Sequence, residues 1–166
     1  GEAILSLGNG YMGIRSATEE KYASEVRNTF VAGTYNKFYK NEVTELPNIA
    51  DVIQMEIKVN GEILDLKQGQ VYGYSRTLNL QNGELTRTFE WENTNKARYA
   101  FKFLRFVSMD NLHLIGQRIE IKALNCDTMI DITSGINGQM TNSGIQHFAD
   151  GDKRLYDQRY LQLVQK

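Results

Sequence analysis

The chain has 166 residues, of which 41% are hydrophobic, and a formal net charge of −1 from 19 basic and 20 acidic side chains. A chain of this size buries one ordinary core, so we expect a single domain over 1–166. Its near-neutral charge excludes the basic field that binds phosphate backbones, and no nucleic-acid partner is expected. No apolar run reaches the roughly 18 residues of a membrane span, and no signal peptide precedes the first strand, so no membrane partner is expected.

The first motif is a Gly-x-Gly-x-x-Gly formed by Gly8, Gly10 and Gly13. As a dinucleotide loop it needs a helix after it, whose free N–H groups hold the pyrophosphate. The residues after Gly13 lack helical apolar spacing, and no Gly-Lys-Ser or Gly-Lys-Thr follows, so a nucleotide site is disfavoured. We interpret Asn9-Gly10 as a tight turn and expect Gly13 to allow a close backbone approach.

The glutamate-rich stretch 18–28 is the best helical candidate, with Tyr22 and Val26 four residues apart. After it the pattern changes to strands. Asn60-Gly61 and Asn82-Gly83 each lie between alternating apolar residues, which predicts two β-hairpins, and Asn-Gly favours the type I′ turn. Further long strands are predicted over 97–109, 112–124 and 128–136.

Long strands and tight turns predict an all-β fold, an antiparallel β-sandwich, with a small barrel as the competing choice. Strand 99–107 has apolar residues on both faces. One face carries Phe101, Phe103 and Val107, and the other carries Ala100, Leu104 and Phe106. We therefore expect both faces of this strand to be covered, by a second sheet or by another domain.

Few residues have a spacing that indicates chemistry. The two histidines, His113 and His147, lack a paired ligand spacing, so structural roles are favoured and no metal is expected. Ser143, His147 and Asp150 lie near one another in sequence, but no Gly-x-Ser-x-Gly presents the serine, and a polar loop is the better explanation. Asp150-Gly151-Asp152 lacks the remaining ligands of a calcium loop and is interpreted as a turn.

The aromatic residues and two arginines have two interpretations each. Trp91 and the tyrosines could stack on sugar rings, although an aromatic residue on the apolar face of a hairpin is more often core. Arg87 and Arg105 share strand faces with apolar residues, so they are either paired within the fold or directed at an interface. The single cysteine, Cys126, excludes an internal disulfide and suits a reducing compartment.

The ends of the chain suggest a fragment. The first residue is Gly1, and a structured-looking segment follows at once. At the other end 160–165 alternates like a strand and stops at Lys166. We expect a truncated part of a longer protein.

Taken together, seven blocks in order resemble the N-terminal domain of glycoside hydrolase family 65, which includes maltose, trehalose and kojibiose phosphorylases. The blocks span nearly the whole chain, and one departure is Ser16, where the family usually has glycine. They lie at 6–15 (Ser-Leu-Gly-Asn-Gly-Tyr-Met-Gly-Ile-Arg), 32–35, 43–48, 76–87, 105–108, 111–114 and 134–138.

The resemblance implies a galactose-mutarotase-like supersandwich from a cytoplasmic bacterial enzyme. Its parent reaction would be phosphorolysis of an α-glucose disaccharide by inorganic phosphate to β-glucose 1-phosphate, with inversion. In that family the catalytic residues lie in an (α/α)6 barrel, which we expect to be absent from 1–166. No catalytic, cofactor-binding or metal-binding residue is therefore carried over, and no cofactor is expected. The implied partners are the chain's own C-terminal barrel and a second copy in a homodimer. A self-standing carbohydrate-binding module is the alternative.

Overall fold

A computed structural model describes residues 3–20, 22, 25–35, 40–41, 44–140 and 142. These residues contain ten strands and no helix, so none of them forms a helix long and apolar enough to cross a membrane. Every strand pairing is antiparallel, as the sequence predicts. The strands are β1 (Leu7–Gly8), β2 (Met12–Ile14), β3 (Thr29–Val31), β4 (Met55–Val59), β5 (Glu62–Ile63), β6 (Gln70–Asn79), β7 (Glu84–Glu92), β8 (Arg98–Val107), β9 (Ile115–Ala123) and β10 (Ile130–Ser134).

The largest sheet has four strands in the order β6-β7-β8-β9, each paired with its neighbour in sequence. In β7 and β8 alternate residues are buried, because successive side chains of a strand point to opposite faces. The buried face holds stacked aromatic rings. Phe89 lies 5.2 Å from Phe101 and 6.0 Å from Phe103 between ring centroids. Trp91 is fully buried beside Tyr99, which confirms the core interpretation of this tryptophan.

Two three-stranded sheets cover that face side by side. The sheet β10-β4-β5 supplies Ile57 and Val59, which pack with the aromatic residues of β7 and β8 in one core cluster. The sheet β1-β2-β3 supplies Leu7 and Ile14 to a second cluster, which includes Leu85 and Val107 at the other end of β7 and β8. Open sheets packed face to face confirm the antiparallel sandwich, and the described strands do not close into the alternative small barrel.

The predicted hairpins are present, but their turns differ. Asn60 and Gly61 both have positive φ, 51° and 80°, which is the type I′ geometry expected of Asn-Gly. Asn82-Gly83 instead ends a four-residue loop between Asn79 and Glu84, in which only Gly83 has positive φ. The two-residue turn expected at Asn82-Gly83 is wrong because the strand register pairs Asn79 with Glu84 and leaves 80–83 outside the ladder.

Strand 99–107 departs from its prediction. Phe101, Phe103 and Val107 are buried as expected, but the opposite face is only half-buried at Ala100, Leu104 and Phe106 and is exposed at Lys102. The reason is that the two smaller sheets cover only one face of the four-stranded sheet. Among the described residues no second sheet covers the other face, so that part of the expectation is wrong, whereas cover by another domain stays a prediction.

The helix expected over 18–28 is also wrong, since its described residues have no helical structure. Their side chains bond to other elements instead of to the next helical turn. Glu20 bonds to Arg87 of β7, and Arg27 bonds to Asp51. Contacts with the sheet therefore override a weak local propensity.

Candidate functional site

The glycine motif forms a hairpin turn rather than a phosphate cradle. Gly8 pairs with Gly13 across β1 and β2, and the turn between them has Gly10 at φ +85° in its first central position, the requirement of a type II′ turn. A Cβ on Gly13 would meet only the Leu7 carbonyl oxygen, at an ordinary 3.8 Å, so the expected close approach at Gly13 is wrong. A Cβ on Gly8 would lie 3.2 Å from the Met12 carbonyl oxygen, so the tighter position is Gly8.

Asn9 is the residue that gives this turn a long-range role. Its side-chain oxygen accepts hydrogen bonds from the backbone N–H groups of Tyr11 and Met12, at 3.0 and 2.9 Å. Its side-chain amide donates to the carbonyl oxygens of Ser108 and Leu112, at 2.6 and 3.0 Å. One side chain therefore joins the first hairpin to the β8–β9 loop, about a hundred residues later in the chain.

His113 lies in that same loop. Its ring packs on Tyr11 with 4.3 Å between centroids, and the residue is exposed. The described residues contain no group of three or more His, Cys, Asp or Glu side chains arranged to hold a metal ion. His147, Ser143, Asp150, Asp152 and the strand-like 160–165 lie outside the described residues, so the interpretations that concern them stay predictions.

A row of polar side chains crosses the buried face of the four-stranded sheet, between the two apolar clusters. Arg76 and Arg87 are directly paired across β6 and β7, and Arg105 and Gln117 are directly paired across β8 and β9. We call these four residues the polar row. Arg87 and Arg105 are each only 2% exposed, so water does not solvate their charges.

The segment 16–20 lies over the polar row, and its backbone is held at three consecutive carbonyl oxygens. Arg76 donates to Ser16 at 2.7 Å, Arg105 donates to Ala17 at 2.8 Å, and Arg27 donates to Thr18 at 2.8 Å. These bonds satisfy carbonyl groups that no strand partner reaches, as buried backbone oxygens require.

The next two residues supply the opposite charge. Both guanidinium Nη atoms of Arg87 donate to the carboxylate of Glu20, at 2.6 and 2.5 Å. Glu19 lies 2.8 Å from Arg87 and 3.2 Å from Arg105. Arg87 and Arg105 are thus paired within the fold, which resolves the two interpretations in favour of the internal one. The sequence shows two adjacent glutamates in 18–28 and two arginines on apolar strand faces, but it does not indicate that the glutamates pair with the arginines.

The environments of the two arginines differ. For Arg87, burial opposes the charged form, but the hydrogen bonds and charges of Glu20 and Glu19 outweigh it and raise the pKa. For Arg105, burial lowers the pKa, and the nearby Arg76 and Arg87 add to the effect against the opposing charge of Glu19. Arginine stays charged in either case, so the polar row is a fixed structural charge and not a proton-transfer group.

Surface depressions offer further candidate sites, and two of them are the more spacious. One, of about 710 Å³, lies on the open face of the four-stranded sheet, with Gly73, Thr88 and Ala100 among its lining and Tyr72 at one side. Arg98 stacks over the Tyr72 ring at 4.8 Å. The other, of about 600 Å³, lies at the end of the sandwich beside β1, the β6–β7 loop and the end of β8. Neither is lined by the carboxylates of the buried ion pairs.

Comparison with known proteins decides the family. The sequence model of the glycosyl hydrolase family 65 N-terminal domain matches residues 1–165. The chain belongs to this family. Kojibiose phosphorylase of Halothermothrix orenii is 51% identical over 93% of the chain, and kojibiose phosphorylase of Escherichia coli is 37% identical over 96% of it. The α,α-trehalose phosphorylase of Thermoanaerobacter brockii is 31% identical over 85% of the chain.

A solved structure agrees with the sequence relatives. A human-microbiome protein assigned as a kojibiose phosphorylase superposes with a TM-score of 0.71 at 27% identity, covering 79% of this chain and 19% of that one. The family 65 domain described here spans about a fifth of the length of the curated relatives that it matches, 20% and 21% for the first two. The resemblance seen in the seven sequence blocks is therefore confirmed.

Proposed function

We propose that this family 65 domain is the supporting, non-catalytic N-terminal part of a cytoplasmic disaccharide phosphorylase. The parent reaction is cleavage of an α-linked glucose disaccharide by inorganic phosphate, with inversion, to β-glucose 1-phosphate. The observation that carries the proposal is the 51% identity with a kojibiose phosphorylase over 93% of the chain. The relatives named above favour kojibiose, and then trehalose, over maltose as the substrate.

The chemistry supports assigning catalysis to a different domain. Such a reaction needs a carboxylic acid that reaches the leaving oxygen, and phosphate on the opposite face of the sugar. Glu19 and Glu20 are buried and engaged by guanidinium groups, so they have no access to a substrate. We assign the acid and the phosphate site to an (α/α)6 barrel that follows the domain, and we assign to this domain the support of that barrel and of a homodimer. No cofactor besides the co-substrate phosphate is required.

Turnover by the full-length polypeptide tests the substrate class. Purified enzyme is incubated with phosphate and kojibiose, trehalose or maltose, and glucose 1-phosphate is measured together with its anomeric form. We expect phosphate-dependent release of the β-anomer, fastest with kojibiose. Release of glucose alone, independent of phosphate, would show a hydrolase and would refute the phosphorylase proposal.

A carbohydrate-binding module is the second candidate, favoured by one observation. The open sheet face has a depression of about 710 Å³ with Tyr72 at its side, and tyrosine rings stack on sugars. Calorimetric titration of the chain with kojibiose, trehalose and maltose tests it, with Tyr72→Ala as the matched variant. Heat that saturates at millimolar sugar and disappears in the variant would establish binding. A flat titration leaves the supporting role.

A further inference from the structure

The end of the sandwich carries an exposed apolar surface that the proposed function does not yet explain. It consists of Leu80 in the β6–β7 loop and of Met109, Leu112 and Leu114 in the β8–β9 loop, and we call it the end patch. Leu80 is 88% exposed and Met109 is 73% exposed. Both line the depression of about 600 Å³, whose lining also includes Leu78 and Phe106. Exposed apolar side chains that line a common depression, as Leu80 and Met109 do, mark an interaction site more often than scattered ones do.

The loop that carries most of the end patch is held rigidly. Asn9 donates to the carbonyl oxygens of Ser108 and Leu112, and the Ser108 N–H donates to the Leu114 carbonyl at 2.9 Å. Asn111 completes the frame, because its N–H donates to the Ser108 hydroxyl and its carbonyl accepts from the Leu114 N–H, both at 3.0 Å.

A rigid loop that displays methionine and leucine side chains to solvent is unusual, since surface loops are commonly polar and mobile. Fixing these side chains before association removes part of the entropy that binding would otherwise cost. The loop is therefore prepared for a permanent contact rather than for adaptation to many partners.

We propose that the end patch is the docking surface for the remainder of the same polypeptide, the catalytic domain that follows this one. This inference rests on the proposed function. The domain corresponds to only about a fifth of its relatives' length, so a covalently attached body several times larger competes for its surface at a high effective concentration. Leu80 and Met109 enter apolar positions of that body, and the depression beside them receives one of its side chains.

Oxidation of methionine in the full-length polypeptide tests the docking without using activity. Met109 and Met129 have nearly equal exposure in this domain, 73% and 71%, so they form a matched pair. Each is oxidised by hydrogen peroxide in the native and in the urea-unfolded polypeptide, and the sites are quantified by mass spectrometry. If the end patch is covered at least nine-tenths of the time, Met109 should be oxidised about tenfold or more slowly in the native polypeptide than in the unfolded one. Met109 oxidation that is as fast as in the unfolded chain would overturn the proposal, whatever the value for Met129.

A dilution series separates the two possible occupants. Protection by the same polypeptide persists when the protein is diluted until only monomers remain. Protection that is lost on dilution would assign the end patch to a second copy and would overturn the proposal. We expect the docked domains of the full-length polypeptide to unfold in a single transition. The double substitution Leu80→Asp with Met109→Asp should divide it into two transitions, one for each domain, whereas Met129→Asp should leave a single transition. Absence of phosphorolysis with Met109 still protected would refute the proposed function and leave the docking intact.

Discussion

At the scale of single residues, the unusual feature is a group of charges inside an aromatic core. Arg87 packs against the ring of Phe103, with 4.3 Å from the guanidinium carbon to the ring centroid, while both its Nη atoms bond to Glu20. Forming a buried ion pair costs free energy, because two ions leave water. Removing one partner costs more, because the other charge then stays buried without compensation. The polar row therefore fixes where segment 16–20 lies more than it adds to stability.

Loss of one partner should show this cost. Arg87→Met leaves Glu20 buried without its cation, and we expect the free energy of unfolding to fall by about 3–5 kcal/mol. Urea denaturation followed by tryptophan fluorescence measures it. The control is Arg118→Met, which removes an exposed partner of Glu120 and should change stability by about 0.5 kcal/mol or less. Equal effects of the two substitutions would contradict a structural role for the polar row.

Tyr22 gives the fold a dependence on alkaline pH. Burial, followed by the charge of Glu20, raises the pKa of its hydroxyl above the ordinary value of 10.0. The unfolded chain then loses this proton at a lower pH than the folded protein does, so stability falls as the pH rises through about 10 and above. Tyr22→Phe should be less stable at pH 8, because it loses the bond from the Leu66 N–H, but should lose less stability between about pH 9 and 11. Tyr35→Phe, at an exposed site, is the control and should keep the wild-type slope. Identical slopes for wild type and Tyr22→Phe would refute the assignment.

At the scale of elements, Asn9 couples two loops that are distant in sequence. Its side-chain nitrogen donates hydrogen bonds to the β8–β9 loop, and its side-chain oxygen accepts hydrogen bonds within the first turn.

The substitution Asn9→Asp removes the hydrogen bonds to the β8–β9 loop and keeps those within the first turn. The aspartate keeps both acceptor oxygens for the Tyr11 and Met12 amides but cannot donate to the carbonyl oxygens of Ser108 and Leu112. We expect faster hydrogen exchange in 108–114, by about tenfold for each 1.4 kcal/mol of lost local stability, with little change in 11–12. Asn9→Ala should release both segments. Unchanged exchange in 108–114 in the aspartate variant would show that Asn9 does not hold that loop.

The strands and the loops differ in how far the sequence predicted them. Alternation at β7, β8 and β9 is strong, because burial of one face sets the period of two. The β7 strand was predicted as the second strand of a hairpin, and the strands predicted over 97–109 and 112–124 extend one to three residues beyond the observed β8 and β9. The Asn60-Gly61 turn was predicted for the same kind of reason, a local requirement for positive φ. The four-residue loop at Asn82-Gly83 and the non-helical structure of 18–28 were not predicted. The loop depends on strand register, and the 18–28 segment depends on arginines that lie far away in sequence. The polar row was missed for that reason too: its members become neighbours only through strand pairing.

At the scale of the whole molecule, the sandwich is unevenly covered. Ile130 and Ile132 of β10 pair with Val59 and Ile57 and so point to the same face as these buried residues, yet they are 38% and 45% exposed. Within the described part of the chain, β10 has no strand on its other edge. An apolar sheet edge of this kind is a template for pairing with another chain.

We expect the 166-residue chain alone to self-associate through β10 as its concentration rises. Ile132→Lys places a charge on the inward face of the edge and should keep the chain monomeric, while Thr133→Lys, on the opposite face of the same strand, should have a smaller effect. Sedimentation velocity of the three proteins over a range of concentrations measures this. A wild-type chain that stays monomeric throughout would contradict the prediction.

We propose that this family 65 domain supports a reaction that it does not carry out. The most direct measurement is phosphorolysis by the purified 166-residue chain, compared with the full-length polypeptide, in kojibiose and phosphate. Circular dichroism and the burial of Trp91 confirm that the chain is folded. We predict no glucose 1-phosphate from the chain above the rate without protein, and rapid release by the full-length polypeptide. Release of glucose 1-phosphate by the folded chain alone, abolished by Glu19→Gln or Glu20→Gln, would contradict the non-catalytic role of the domain.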